Sequence, residues 1–208
     1  MGVIDSMMGA NEDNSVCVCG TVASGPELNH QLYGEDFYSF KLAVPRLSGV
    51  VDIVPVMFPG RVLPVVPQEG EYVRVNGQLR SYNRQADGAS RLMITVFAKQ
   101  AEPAQPEPCN EVTLYGHICK PVIFRTTPFL REIGDLLVAV NRSYNKSDYL
   151  PCIVWGRNAR YAYENLVVGS CVRITGRLQS REYQKVFEDG ASETRTAYEV
   201  SCSTVELV

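Results

Sequence analysis

Two stretches in the second half of this 208-residue sequence set rings and cations at alternate positions. In Asp148–Trp155, one parity carries Leu150, Cys152 and Val154, and the other Tyr149, Pro151, Ile153 and Trp155. In Val172–Lys185, Val172, Ile174 and Leu178 share a parity with Gly176. The opposite parity carries Arg173, Thr175, Arg177, Gln179, Arg181, Tyr183 and Lys185, provided no bulge intervenes. Successive side chains of a strand point to opposite faces, and a small barrel fills its inside with aliphatics. The aromatic and cationic set is therefore expected on the outside. Outward rings stack on any base because every base has a π-face, and cations beside them follow phosphates. That chemistry suits unpaired nucleic acid.

Other chemistries lack their residues. Two histidines, His30 and His117, lie outside any nucleophile or metal arrangement, and no glycine-rich phosphate loop occurs. No catalytic residue, metal or cofactor is expected, and the chain is read as no enzyme. Its seven cysteines form no Cys-x-x-Cys and read as small buried hydrophobes of a reducing compartment. Short matches to myristoylation (Met1-Gly2 with Ser6) and glycosylation (Asn141-Arg142-Ser143, Asn145-Lys146-Ser147) patterns arise by chance and are set aside. Apolar content of 45% and charged content of 21% are those of ordinary globular protein. No apolar run approaches the roughly 20 residues of a membrane span, so a cytoplasmic protein without membrane contact is expected. The net charge of −3 is unevenly spread. Residues 1–108 carry eight Lys/Arg against twelve Asp/Glu, and residues 109–208 carry twelve against eleven. Charge placement, not the total, must decide what is bound.

The elements that position these residues occur twice, about 96 to 99 residues apart. Gly20 answers Gly116, and Leu42-Ala43-Val44 with Arg46 answers Val138-Ala139-Val140 with Arg142. Asp52 and Pro55 answer Asp148 and Pro151, Gly70 and Gly77 answer Gly169 and Gly176, and the turn Asp87-Gly88-Ala89-Ser90 recurs, 102 residues on, as Asp189-Gly190-Ala191-Ser192. In the second copy, strands are predicted near 111–120, 131–142, 148–155, 170–180 and 195–207, rich in Val, Ile, Leu and Tyr. Ala159, Ala162, Tyr163 and Leu166 share a helical face, which predicts a short helix over 158–166 with Tyr161 and Tyr163 as packing residues. Five strands with a helix before the fourth is the order of the OB-fold, a Greek-key barrel. The first copy has Pro64 and Pro67 where the helix would be, so an irregular connection is expected over 62–67.

The chain is thus expected to be mainly β: two tandem OB-fold barrels, the second with a short helix between its third and fourth strands. The expected division is a disordered segment 1–13, a degenerate OB-fold domain 14–102, a stiff proline-rich linker 103–108 holding the barrels at restricted spacing, and a second OB-fold domain 109–208.

Residues 110–208 resemble the bacterial single-stranded DNA-binding protein family. The resemblance is carried by Asn110-Glu-Val-Thr-Leu-Tyr-Gly116, Leu137-Val-Ala-Val-Asn-Arg142, Asp148-Tyr-Leu-Pro-Cys-Ile-Val-Trp-Gly-Arg157, Gly176-Arg-Leu-Gln-Ser-Arg-Glu-Tyr183 and Arg195-Thr-Ala-Tyr-Glu-Val200. It implies sequence-nonspecific single-stranded DNA binding that protects DNA in replication, recombination and repair. The family's base-stacking aromatics map onto Tyr144, Tyr149, Trp155 and Tyr183, and its phosphate-contacting basics onto Arg142, Arg157, Arg177, Arg181 and Lys185. The first copy resembles the family weakly, with Ser48, Ile53, Pro59 and Arg84 at the four aromatic positions. Its barrel-building residues Val54, Val56, Val73, Val75 and Leu79 remain, as do Arg46, Arg61 and Arg74, beside Arg80 and Tyr82. The first copy is accordingly read as a scaffold or assembly domain with a secondary electrostatic role.

The resemblance also implies four OB domains per assembly, hence a homodimer of this two-domain chain. Many family members end in an acidic tail that recruits repair and replication proteins. This sequence stops at Thr204-Val-Glu-Leu-Val208, so recruitment by such a tail is not expected. Two other readings stay open: a protein-interaction module of a primosome or recombination complex, and an RNA-binding module.

Overall fold

A computed structural model describes residues 13–62, 66–86, 89–143, 145–187 and 190–208. The expectations for residues 1–12, for 63–65 within the proline connection, for the turn residues Asp87, Gly88 and Asp189, and for Tyr144 fall outside the described residues.

In the first copy the strands are β1 Asn14–Leu32, β2 Glu35–Pro45, β3 Val51–Pro59, β4 Tyr72–Ala86 and β5 Ala89–Pro103. The second copy has β6 Asn110–Ile118, β7 Ile123–Thr126, β8 Glu132–Arg142 and β9 Lys146–Trp155. These are followed by α1 Arg157–Asn165, β10 Cys171–Val186 and β11 Ser192–Leu207. The strands form one sheet in the order β2-β3-β5-β4-β1-β6-β10-β11-β9-β8-β7, with extra pairings β2–β1 and β6–β8. Those extra pairings close each half on itself, helped by the parallel pairs Val56↔Val96 in β3–β5 and Val200↔Cys152 in β11–β9. The architecture is two tandem OB-fold barrels, with α1 between β9 and β10.

Alternation fills each barrel with apolar side chains: Leu42, Val54, Val56 and Phe58 in the first, Val138, Leu150, Cys152 and Val154 in the second. On α1 the buried face is Ala159 and Ala162, followed by buried Leu166. Tyr163 is instead exposed and meets the ring of Phe124 on β7, a short edge strand absent from the expected set. The repeated glycines have a steric cause. A Cβ on Gly20 would strike the Ala43 carbonyl oxygen, and on Gly116 the Ala139 oxygen, because β1 and β6 bend there against β2 and β8.

Two elements exceed their expected lengths. β10 and β11 form an arm paired out to Val186↔Ser192, and β4–β5 matches it out to Ala86↔Ala89. The bulge against which the parity reading was guarded does occur, where Thr175↔Thr204 is followed by Gly176↔Cys202. The extra residue lies on β11, so β10 keeps its alternation.

The barrels meet edge to edge through antiparallel β1 and β6, with Val16↔Val112 at the centre and Asn14↔Leu114 and Val18↔Asn110 flanking it. This pairing is symmetric in the repeat: a pseudo-two-fold axis passes between Val16 and Val112 within one chain. The spacing of the barrels is thus fixed by strand pairing, not by linker stiffness. The linker itself is tied down by Ala104 N–H donating to the Tyr72 carbonyl and the Tyr72 hydroxyl donating to the Glu107 carbonyl.

The arms complete the joint. Asp52 is fully buried and accepts from Arg46 Nε at 2.7 Å and Nη2 at 2.6 Å. It also accepts from Ser180 N–H and Oγ of the other barrel, each at 2.7 Å. The symmetry-related Asp148, also fully buried, accepts from Ser81 N–H at 2.7 Å, Arg80 Nη1 at 2.9 Å and Arg142 Nη1 at 3.4 Å. Tyr198 reaches across with its hydroxyl donating to the Ile53 carbonyl at 2.8 Å, and Arg91 Nη2 donates to the Thr196 carbonyl at 2.6 Å. The repeated Arg/Asp positions therefore build the seam between the barrels.

Candidate nucleic-acid interface

Tyr149 and Trp155 lie six positions apart on the outer parity of β9, 45% and 40% exposed. Ile153 shares that parity yet is only 5% exposed, so this strand is not open along its whole length. Tyr183 is half-buried on the outer parity of the β10 arm, with the Arg181 guanidinium carbon 5.6 Å from its ring centre. The parallel pairs Val200↔Cys152 and Ser201↔Ile153 set β11 between β9 and β10. Alternation puts Tyr149 and Trp155 on the outer parity of β9, and Tyr183 on that of β10 with Arg177, Arg181 and Lys185.

The basic residues divide by role. Arg177, Arg157 and Lys185 are exposed. Arg177 borders a groove of about 400 Å³ with Ser201 and Ser203, while Arg157 opens α1 directly after Trp155 and Gly156. Arg181 stands 3.9 Å from the Glu199 carboxylate, a loose pairing that leaves it 58% exposed. Arg142 is different: its guanidinium is turned to buried Asp148, which makes it part of the barrel seam. Tyr198, inside the stretch that carries the family resemblance, is likewise a seam residue. Burial pushes its phenol upward in pKa, assisted by Asp52 and opposed by Arg91.

Comparing the two copies position by position misses rings on the first barrel. Phe37 and Phe97 are half-buried on the outer parities of β2 and β5, opposite to buried Phe40, Leu42, Ile94 and Val96. His30 stacks on Phe37 with centroids 4.8 Å apart and planes 1° from parallel, and Phe37 and Phe97 lie 6.4 Å apart. The Arg80 guanidinium lies 5.8 Å from the Phe97 ring centre. Alternation read along Phe37–Val44 alone contains this signal.

Exposed rings and cations on the outer parities of β9 and β10 are the side-chain types that OB-fold barrels use toward oligonucleotides. Residues 109–208 match the single-strand binding protein family. The chain is 32% identical over 105 residues to Single-stranded DNA-binding protein 1 of Staphylococcus aureus (strain COL), covering 48% of this chain and 60% of that protein. It is 32% identical over 81 residues to Single-stranded DNA-binding protein A of Bacillus subtilis (strain 168), covering 36% and 47%. The matched segments span less than two thirds of these relatives. A crystal structure of the wild-type single-stranded DNA binding protein from Thermus aquaticus superposes with a TM-score of 0.74 at 22% identity, covering 94% of this chain and 92% of that one. The likeness to the single-strand binding protein family thus lies in the second barrel.

Proposed function

We propose that this protein binds single-stranded DNA without sequence preference, shielding it in replication, recombination and repair. The division of labour follows the residues: 109–208 is the principal binding domain, 14–102 the degenerate barrel that assembles with it, and 103–108 the connection. The observation that carries this reading is that Tyr149, Trp155 and Tyr183 stand on the outer parities of β9 and β10, with exposed Arg177, Arg181 and Lys185 on the same parity as Tyr183. Bases stack on the rings, and the guanidinium and ammonium groups follow the phosphates. No helix among the described residues is long and apolar enough to cross a membrane; the cytoplasm, where DNA is handled, is the proposed location.

Trp155 is the sole tryptophan, so its emission reports this wall directly. Adding oligo-dT quenches it, the affinity falls steeply with salt as counterions are released, and Trp155→Ala weakens binding. Unchanged emission with wild-type binding by Trp155→Ala would remove the residue from the site. An affinity insensitive to salt would favour the protein-interaction reading, and a matched RNA oligonucleotide that outcompetes DNA would favour the RNA reading. A homodimer presenting four barrels is part of the proposal, checked by light scattering as twice the 23.1 kDa chain mass.

A further inference from the structure

The first barrel lacks the family's four rings at the equivalent positions, yet it carries a separate set. Phe37 on β2 and Phe97 on β5 stand on its outer parity, bridged through the cross-strand pairs Ser39↔Met57 and Met57↔Phe97. An exposed His30 lies flat on Phe37, the arrangement in which a planar heterocycle stacks on a ring. Exposed Lys41 shares the outer parity of β2 with Phe37. The acidic Glu35 next to this wall is met by Arg61 at 3.0 Å, which lowers its repulsion toward a phosphate chain. A groove of about 760 Å³ continues from Phe37 past Tyr38 to the fully exposed Tyr33 and to Arg61.

This face adjoins β9 of the second barrel across the seam. Arg80 lies by the Phe97 ring and also donates to Asp148, the residue before Tyr149. The Tyr149 N–H donates to Ser81 Oγ at 2.7 Å, so the main chain under the Tyr149 ring is docked on the first barrel's arm.

We propose that the stacking platform of the first barrel has been rebuilt on Phe37, Phe97 and His30. A single DNA strand leaving Tyr149 crosses the seam and continues onto these rings. The inference rests on the single-stranded DNA reading and adds a second subsite and a route between the two. Any one such ring in isolation is most often packing; the stacked exposed histidine, the exposed Lys41 and the adjoining groove together point to a ligand.

The test uses the full chain and labelled oligo-dT of two lengths: about 10 nucleotides, within the reach of one barrel, and about 30, enough for two. Trp155 emission reads the second barrel, and label anisotropy reads total binding. With Phe37→Ala/Phe97→Ala, the short oligonucleotide quenches Trp155 as in wild type, while the long one binds at least about tenfold more weakly. Phe37→Tyr/Phe97→Tyr, which keeps both rings, restores the long-oligonucleotide affinity. Wild-type affinity of the alanine pair for the long oligonucleotide would overturn the inference. So would equal losses at both lengths, or a tyrosine pair as weak as the alanine pair. Wild-type protein that binds neither length would overturn the single-stranded DNA reading itself, and this inference with it.

Discussion

Replacing Asp52 with alanine is expected to destabilise the chain by about 3–5 kcal/mol, the cost of removing one partner of a buried charge pair. The carboxylate is fully buried and satisfies four donors, two on Arg46 and two on Ser180. Its loss strands the Arg46 guanidinium in a partly buried site, with the Ser180 carbonyl and nearby Glu199 as its remaining partners. Ser180 belongs to the other barrel, so the variant loosens the seam as well as the loop that holds Arg46. Asp148→Ala makes the same change at the symmetry-related position and strands Arg80 and Arg142. Chemical denaturation followed by circular dichroism reads both. An Asp52→Ala protein with the wild-type midpoint would mean that water fills the seam and carries those donors.

The same group sets a pH dependence. Burial alone pushes the Asp52 carboxyl upward, but the hydrogen bonds from Arg46 and Ser180 outweigh it and hold the group below the ordinary carboxylate value. A carboxyl whose folded pKa lies below its unfolded one contributes stability above the unfolded value, about 4. That contribution is lost as pH falls through the lower, folded value. The melting temperature of the wild type therefore drops on acidification below about pH 4, and Asp52→Asn shows a flatter profile. Parallel profiles for the two proteins would exclude Asp52 as the titrating group.

This seam marks where the sequence stops being legible. The recurrence of Arg46 with Asp52 and Arg142 with Asp148 is plain in the chain, but their third partners, Ser180 and Ser81, lie in the opposite barrel. Nothing local distinguishes an arginine aimed at a buried carboxylate from one aimed at a phosphate, so Arg142 reads equally well as either. The barrels themselves were legible because their pattern is local: Val54, Val56 and Phe58, like Leu150, Cys152 and Val154, alternate without interruption. The ends of β10 and β11 were not, because Ser180–Gln184 is polar on both faces and no core demands it. β7 escaped for a related reason, being four residues beside Pro121 and Pro128. Alternation also gave an outward Ile153, which is outward in parity and nonetheless covered.

Removing both Tyr149 and Tyr183 rings is expected to weaken oligo-dT binding by roughly 100-fold or more, since each stacked base contributes about 1–3 kcal/mol. Both sit on the second barrel's wall, and neither ring is part of the core, so Tyr149→Ala/Tyr183→Ala should fold as the wild type does. The matched control is Ile53→Ala/Arg84→Ala, the equivalent positions of the first barrel. The Tyr198 hydroxyl donates to the Ile53 backbone carbonyl, which the substitution keeps, and Arg84 is exposed on the β4 arm. This control should cost no more than a few-fold, the worth of one phosphate contact. Salt separates the two kinds of loss. The tyrosine pair lowers affinity at every salt concentration without altering the slope of log affinity against log salt, because no counterion is displaced by a ring. Lys185→Ala, or Arg177→Ala on the same wall, should instead flatten that slope by about one charge. If the tyrosine pair and its control lose affinity equally, the two barrels bind alike and the principal site does not lie on the second wall. If the tyrosine pair flattens the slope, those side chains act by holding the neighbouring cations, Arg181 above all, rather than by stacking.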